Sequence, residues 1–193
     1  MTVAAVMFAL GLLATTRAEE WVADGKFDRE KEWAGARVLE AGPGVTVLLK
    51  QGDGMLAIGV VTGCEFPAYV DLFVETRDGV IWNLHASMQQ GERTVAGREW
   101  DDRNPATRWG RQKDWKVNTS RPLKERANDD PLTKASFPPA EGYEFVIERA
   151  KLGGGAKRVR IEVRDFTGKA AGIVFPAGSS RFEPGGWWEL RFE

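Results

Sequence analysis

The chain has 193 residues, with 27 lysines and arginines against 28 aspartates and glutamates, one histidine and one cysteine. That length fits a single domain with a sizeable core, and the near balance of charge excludes a generic polyanion binder. One cysteine excludes an intrachain disulfide, and one histidine excludes zinc held by a histidine pair.

Val3 to Ala14 is an apolar run too short to span a bilayer, and Thr16-Arg17-Ala18 ahead of Glu19 offers a small-residue cleavage pattern. Residues 1–18 are therefore expected to be a secretory signal peptide, with an uncleaved anchor as the alternative, and residues 19–193 the mature domain. No stable membrane span remains after cleavage. Export without disulfides points to a bacterial periplasm or exterior. Cys64, near Val60, Val61 and Phe66, reads as a small buried residue.

Asp28 to Trp33 has room for one or two helical turns; beyond it the chain reads as strands. Val45 to Lys50 and Met55 to Thr62 flank the hairpin signal Gln51-Gly52-Asp53-Gly54, and Ala68 to Thr76 and Val80 to Ser87 flank Arg77-Asp78-Gly79. Tyr143 to Arg149 and Arg158 to Asp165 follow, linked by Gly153-Gly154-Gly155, before Ala171 to Phe175 and Trp187 to Phe192. Short strands between glycine-rich turns predict an all-β, antiparallel, jelly-roll-like sandwich.

The second hairpin also has a readable register. A three-residue connection with Gly79 left-handed sets Val70, Leu72 and Val74 opposite Ala86, Leu84 and Trp82, making one face apolar throughout. Val70, Leu72, Val74, Trp82, Leu84, Phe145, Ile147, Ile161 and Val163 are the expected core. The other face is mixed: Asp71, Phe73 and Glu75 against His85, Asn83 and Ile81.

Residues 98–116 follow neither strand nor helix period, yet carry Trp100, Trp109 and Trp115 among Asp101, Asp102, Arg103, Asn104 and Arg111. Rigid indoles among charged and amide groups suit a ligand-binding rim, with Trp109 and Trp115 opening outward beside Gly110. The alternative is that the rings cap a core beneath the loop.

Asp24-Gly25 with Trp33, Asp71-Leu72-Phe73-Val74-Glu75 with Trp82-Asn83-Leu84, and Gly142 to Ile147 with Trp187-Trp188-Glu189-Leu190 resemble the family 9 carbohydrate-binding modules and the wider DOMON-like β-sandwiches. The resemblance implies a non-catalytic sandwich that grips a sugar, with aromatic rings stacked on it, and calcium as a structural ion. It also admits haem held by His85 with Met55, since Met88 is too near His85 in sequence to face it across a pocket.

Asp71, Asn83 and His85 are candidate polar fingers on the sheet face; a satisfied internal polar pair is the competing role. A Ser-His-Asp set from Ser87, His85 and Asp71 lacks a nucleophile-elbow pattern. Asp71, Glu75, Asp101, Asp102, Asp129 and Glu183 do not single out a glycosidase pair. Turns at Asp101-Asp102-Arg103-Asn104 and Asn128-Asp129-Asp130 supply hard oxygens suited to calcium, without EF-hand spacing. Basic residues interleaved with tryptophan also suit single-stranded nucleic acid, but export and the interspersed acids argue for no nucleic-acid partner. Three functions follow, in order: an exported non-catalytic module binding carbohydrate or envelope glycan; a protein-interaction or envelope-assembly domain; and a glycoside-processing enzyme.

Overall fold

A computed structural model describes residues 21–52, 54–62, 68–87, 89–101, 112–118, 121–122, 139–165 and 172–191. The expected signal peptide, Cys64, Met88, Trp109 and Arg111 lie outside them. Among the described residues fourteen strands run in chain order: β1 (Arg37–Gly42), β2 (Val45–Gly52), β3 (Met55–Val61), β4 (Ala68–Thr76), β5 (Ile81–Ala86), β6 (Gln90–Ala96) and β7 (Glu99–Trp100). They continue with β8 (Trp115–Val117), β9 (Arg121–Pro122), β10 (Pro139–Ala140), β11 (Gly142–Glu148), β12 (Ala156–Asp165), β13 (Ile173–Phe175) and β14 (Trp188–Glu189).

Two antiparallel sheets pack as a sandwich. One has the order β1-β2-β3-β11-β8; the other runs β13-β12-β4-β5-β6-β7, with β14 also on β12. Two-residue β9 and β10 form a separate parallel pair. Among the described residues no helix is long and apolar enough to cross a membrane.

The core follows the period of two. Val45, Val47 and Leu49 from β2, and Leu56, Ile58 and Val60 from β3, face Val70, Leu72, Val74, Val159, Ile161 and Val163 in one buried cluster. The expected core residues belong to it except Trp82, which is partly buried and packs against it. Register in the second hairpin is as the pattern demands: Val70 opposite Ala86, Leu72 opposite Leu84 and Val74 opposite Trp82. Gly79 turns the corner at φ +88°, a left-handed value that glycine adopts without a side-chain clash.

One local expectation, the short turn near Trp33, is met, and two differ from the structure. Asp28 to Trp33 makes a turn, in which Trp33 N–H donates to the Asp28 carbonyl at 2.9 Å and the Asp28 carboxylate accepts from Glu30 and Lys31 N–H. The runs on either side of Gly153-Gly154-Gly155 do not pair, because β11 joins β3 and β8 whereas β12 joins β4. A short 3-10 turn (Arg149–Leu152) and the glycines carry the chain from one sheet to the other. Finally, the tryptophan-rich stretch contains strand as well as loop. Trp115 and Val117 point inward from β8 while Lys116 points out, an alternation only three residues long.

Each sheet is also covered on its outer face. Phe27 and Trp33 pack on Leu48 and Ala57 behind the five-stranded sheet. Gly59 makes room for them: a Cβ there would lie 2.6 Å from Phe27 Cε1 and 3.0 Å from the Trp33 ring. Gly59→Ala should therefore destabilise the domain by about 1–3 kcal/mol through overpacking, read as a lower urea midpoint. An unchanged midpoint would show that these rings do not seat on the sheet. Behind the seven-stranded sheet, Trp187 and Trp100 cover Phe73 and Ile81.

Candidate functional site

The polar residues expected on the sheet face do come together. Asp71 Oδ1 lies 3.0 Å from His85 Nδ1 and accepts from Asn83 Nδ2 at 3.3 Å. His85 Nε2 is 3.0 Å from Ser87 Oγ. Asn83 Oδ1 accepts from Arg93 Nε at 2.9 Å, and the Arg93 guanidinium lies 3.2 Å from the centre of the Trp100 ring. Cross-strand pairing of β4 with β5 produces this grouping, because Asp71 stands opposite His85 and Phe73 opposite Asn83.

The order Asp71–His85–Ser87 has the connectivity of a proton relay. Ser87 Oγ, however, donates to the Gln89 carbonyl and accepts from Gln89 N–H, both at 2.9 Å, closing a tight turn at the end of β5. Its remaining capacity is to accept from the histidine ring, which is the role of a structural anchor. Asn83 is fully buried, and the Asp71 and His85 side chains are only 10% and 16% exposed. Trp100 stacks on Phe73 at 6.0 Å and meets Phe182 edge-on at 5.3 Å, so its ring belongs to the cover of this face.

Trp115 requires a correction. Its ring is 4% exposed, lies nearly parallel to Phe145 at 6.1 Å and donates its indole N–H to Glu92. Strand pairing with β11 turns it into the sandwich, so it does not open outward and offers no face to a ligand. Met55 begins β3, in the sheet opposite His85. Asp101 is described; the other residues proposed as calcium ligands in turns lie outside the described residues.

Sequence reasoning did not foresee a carboxylate group at the opposite face. Glu144, fully buried on β11, accepts from Asp24 N–H at 2.8 Å, Gly25 N–H at 2.6 Å and Trp33 Nε1 at 2.8 Å. Oxygens of Asp24 and Glu32 lie within 4.8 Å of it and of each other. Both Glu144 oxygens are directed at N–H donors, so this group acts first as a hook for the Asp24–Trp33 segment. Burial pushes the Glu144 carboxyl up to about 7, against the pull of those donors.

A cleft lies elsewhere among the described residues, at the end of the sandwich where the β2–β3 and β4–β5 turns meet the start of β12. Its volume is about 710 Å³. Met55, Leu56, Leu152 and Ala156 contribute its apolar walls, and Gly154 and Gly155 bring bare backbone to its edge. Arg77, Arg149 and Arg191 reach it from the β4–β5 turn, the end of β11 and the residues after β14. The Arg149 N–H donates to the Gly54 carbonyl at 2.7 Å, and Arg77 N–H to Gly155 at 3.0 Å, which ties the three walls together. Gly154 has φ +101°, a conformation that side chains disfavour, with open space where a Cβ would stand.

Each of these arginines lies beside a turn or strand end in the sequence. The signal that could have grouped them is strand direction: β11 and β14 both run toward the end at which β4 turns into β5. Comparison with protein-family models, curated proteins and solved structures finds no match to this chain.

Proposed function

We propose that the chain is an exported, non-catalytic binding module that holds a carbohydrate in the cleft at the turn end of the sandwich. The observation that carries this reading is the cleft itself, whose 710 Å³ falls in the range of small-ligand sites. Its mixture of apolar wall, glycine backbone and guanidinium groups matches a sugar's C–H faces and oxygens. The likeness to family 9 carbohydrate-binding modules and DOMON-like sandwiches supports the same ligand class.

A flat protein-docking surface has less support. Among the described residues the exposed large apolar side chains are Val22, Val38 and Val80, not the aromatic anchors that dominate protein hot spots. The relay at Ser87 is occupied by its own turn, which favours binding over turnover.

A glycan array probed with residues 19–193, with and without calcium, tests the proposal. At least one glycan should be retained, and prolonged incubation should release no shorter product. Product release would establish an enzyme instead, and an array without any retained glycan would remove the carbohydrate reading.

A further inference from the structure

Resting on that reading of the cleft, we propose that its carbohydrate is anionic, a glycan bearing carboxylate or sulfate groups. Arg77, Arg149 and Arg191 come from three separate elements, and no described lining residue carries a carboxylate. Among the described residues Arg77 and Arg149 have no acidic partner. Arg191 pairs with Glu189 at 3.2 Å, with both side chains exposed at 81% and 53%, so solvent screens that contact and an incoming oxyanion competes for it.

Arginines on the seven-stranded sheet contrast with these. Arg158 is held by Glu75, while Arg160, Arg164 and Arg181 converge on Glu162. Each of those guanidiniums is ion-paired within the fold, where Glu75 and Glu162 hold them in place; the cleft arginines face one concave space with like charge. A concavity of one sign concentrates counter-charge, and the planar guanidinium fork matches the oxygens of a carboxylate or sulfate. The protein as a whole has a formal charge of −1, so the attraction is local rather than a general affinity for polyanions.

The walls also indicate how the sugar itself is held. No aromatic ring is among the described lining residues, so the proposed affinity rests on other contacts. Charge-assisted hydrogen bonds at the rim take that role, while the partly exposed Met55 side chain offers apolar contact beside the glycine backbone. A cleft of this size exceeds what a single inorganic ion needs, which favours a sugar ring carrying the charge.

Four probes decide the matter by titration calorimetry on residues 19–193 at low salt: polygalacturonate, its methyl ester, chondroitin sulfate and polyglutamate. Polygalacturonate or chondroitin sulfate should bind, and Arg77→Gln or Arg149→Gln should each weaken that binding by about tenfold with an unchanged Tm. Arg29→Gln, an equal charge change on the outer cover, should leave it unaltered. Equal affinity for polygalacturonate and its methyl ester, insensitive to both cleft variants, would overturn the anionic ligand and leave carbohydrate binding standing. Equal affinity for polyglutamate would overturn the glycan and with it the proposed function, leaving only a charged cleft. Failure to bind either acidic glycan would also overturn the inference.

Discussion

Replacing Lys151 by alanine should destabilise the domain by about 3–5 kcal/mol, as breaking a buried ion pair does when one charge is left behind. The Lys151 ammonium lies 2.8 Å from Glu92 Oε2, with side chains only 4% and 2% exposed, and 3.7 Å from the centre of the Trp82 ring. Trp115 donates to the same Glu92 oxygen. Burial lowers the Lys151 pKa, and Glu92 opposes that shift by favouring the charged form. Alanine at 151 would leave the Glu92 charge in the sandwich with only neutral donors. Glu92→Ala should be comparably harmful, whereas Glu92→Met with Lys151→Met should recover most of the loss. Trp115→Ala should also cost about 3–5 kcal/mol, through the ring it removes from Phe145. Urea denaturation of the four variants is the measurement. A Lys151→Ala loss below about 0.5 kcal/mol, the scale of an ordinary surface change, would refute the buried pair.

Stability should fall by as much as about 3 kcal/mol between pH 4.5 and 7 through Glu144 alone, whose carboxyl rises from 4.5 to about 7 on folding. Below 4.5 the folded and unfolded chains both carry the proton, and the contribution is complete. Between the two values the unfolded chain has released the proton that the native chain keeps, so each rise in pH favours unfolding. Above about 7 the contribution is gone. Glu162 works in the other direction. Burial pushes its carboxyl up, but the Arg181 hydrogen bond and the Arg160 charge outweigh this and hold it at about 2. Its contribution is present above 4.5 and disappears as pH falls through about 2. The wild type should thus be most stable near pH 4 to 5, on the sum of these two groups. In Glu144→Gln the decline toward pH 7 should flatten, although the amide meets the Trp33 N–H less well. Thermal unfolding across pH 3 to 8 checks this, and parallel curves for wild type and variant would remove Glu144 as the cause.

Strand content, the register of the second hairpin and the inner core were legible because they rest on alternation over five or more residues. Val70, Leu72 and Val74 could face only one way once Gly79 was placed in the turn. Trp115 was misread for the opposite reason. Its strand has three residues, and the flanking charges Lys113, Asp114 and Lys116 conceal an inward ring whose polar N–H is satisfied by a distant glutamate. The partners of β11 and β12 were equally hidden, since local pattern does not say which sheet a strand joins. The Asp71–Asn83–His85 grouping was readable from cross-strand pairing, but its cover was not: Trp187 reaches Phe73 from far along the chain. The cleft arginines are brought together only by the directions of strands in both sheets, information absent from any short window.

The hook between Glu144 and the Asp24–Gly25 backbone spans 119 and 120 positions of sequence. Such a closure carries a large entropic penalty and has no purchase until β11 lies beside β3. During refolding, the segment that comes early in the chain is therefore expected to dock late. Until it docks, Leu48, Ala57 and the bare backbone at Gly59 present a nearly flat apolar back to the solvent. An undocked segment would leave that back open to self-association, so the refolding yield is expected to fall as the chain concentration rises.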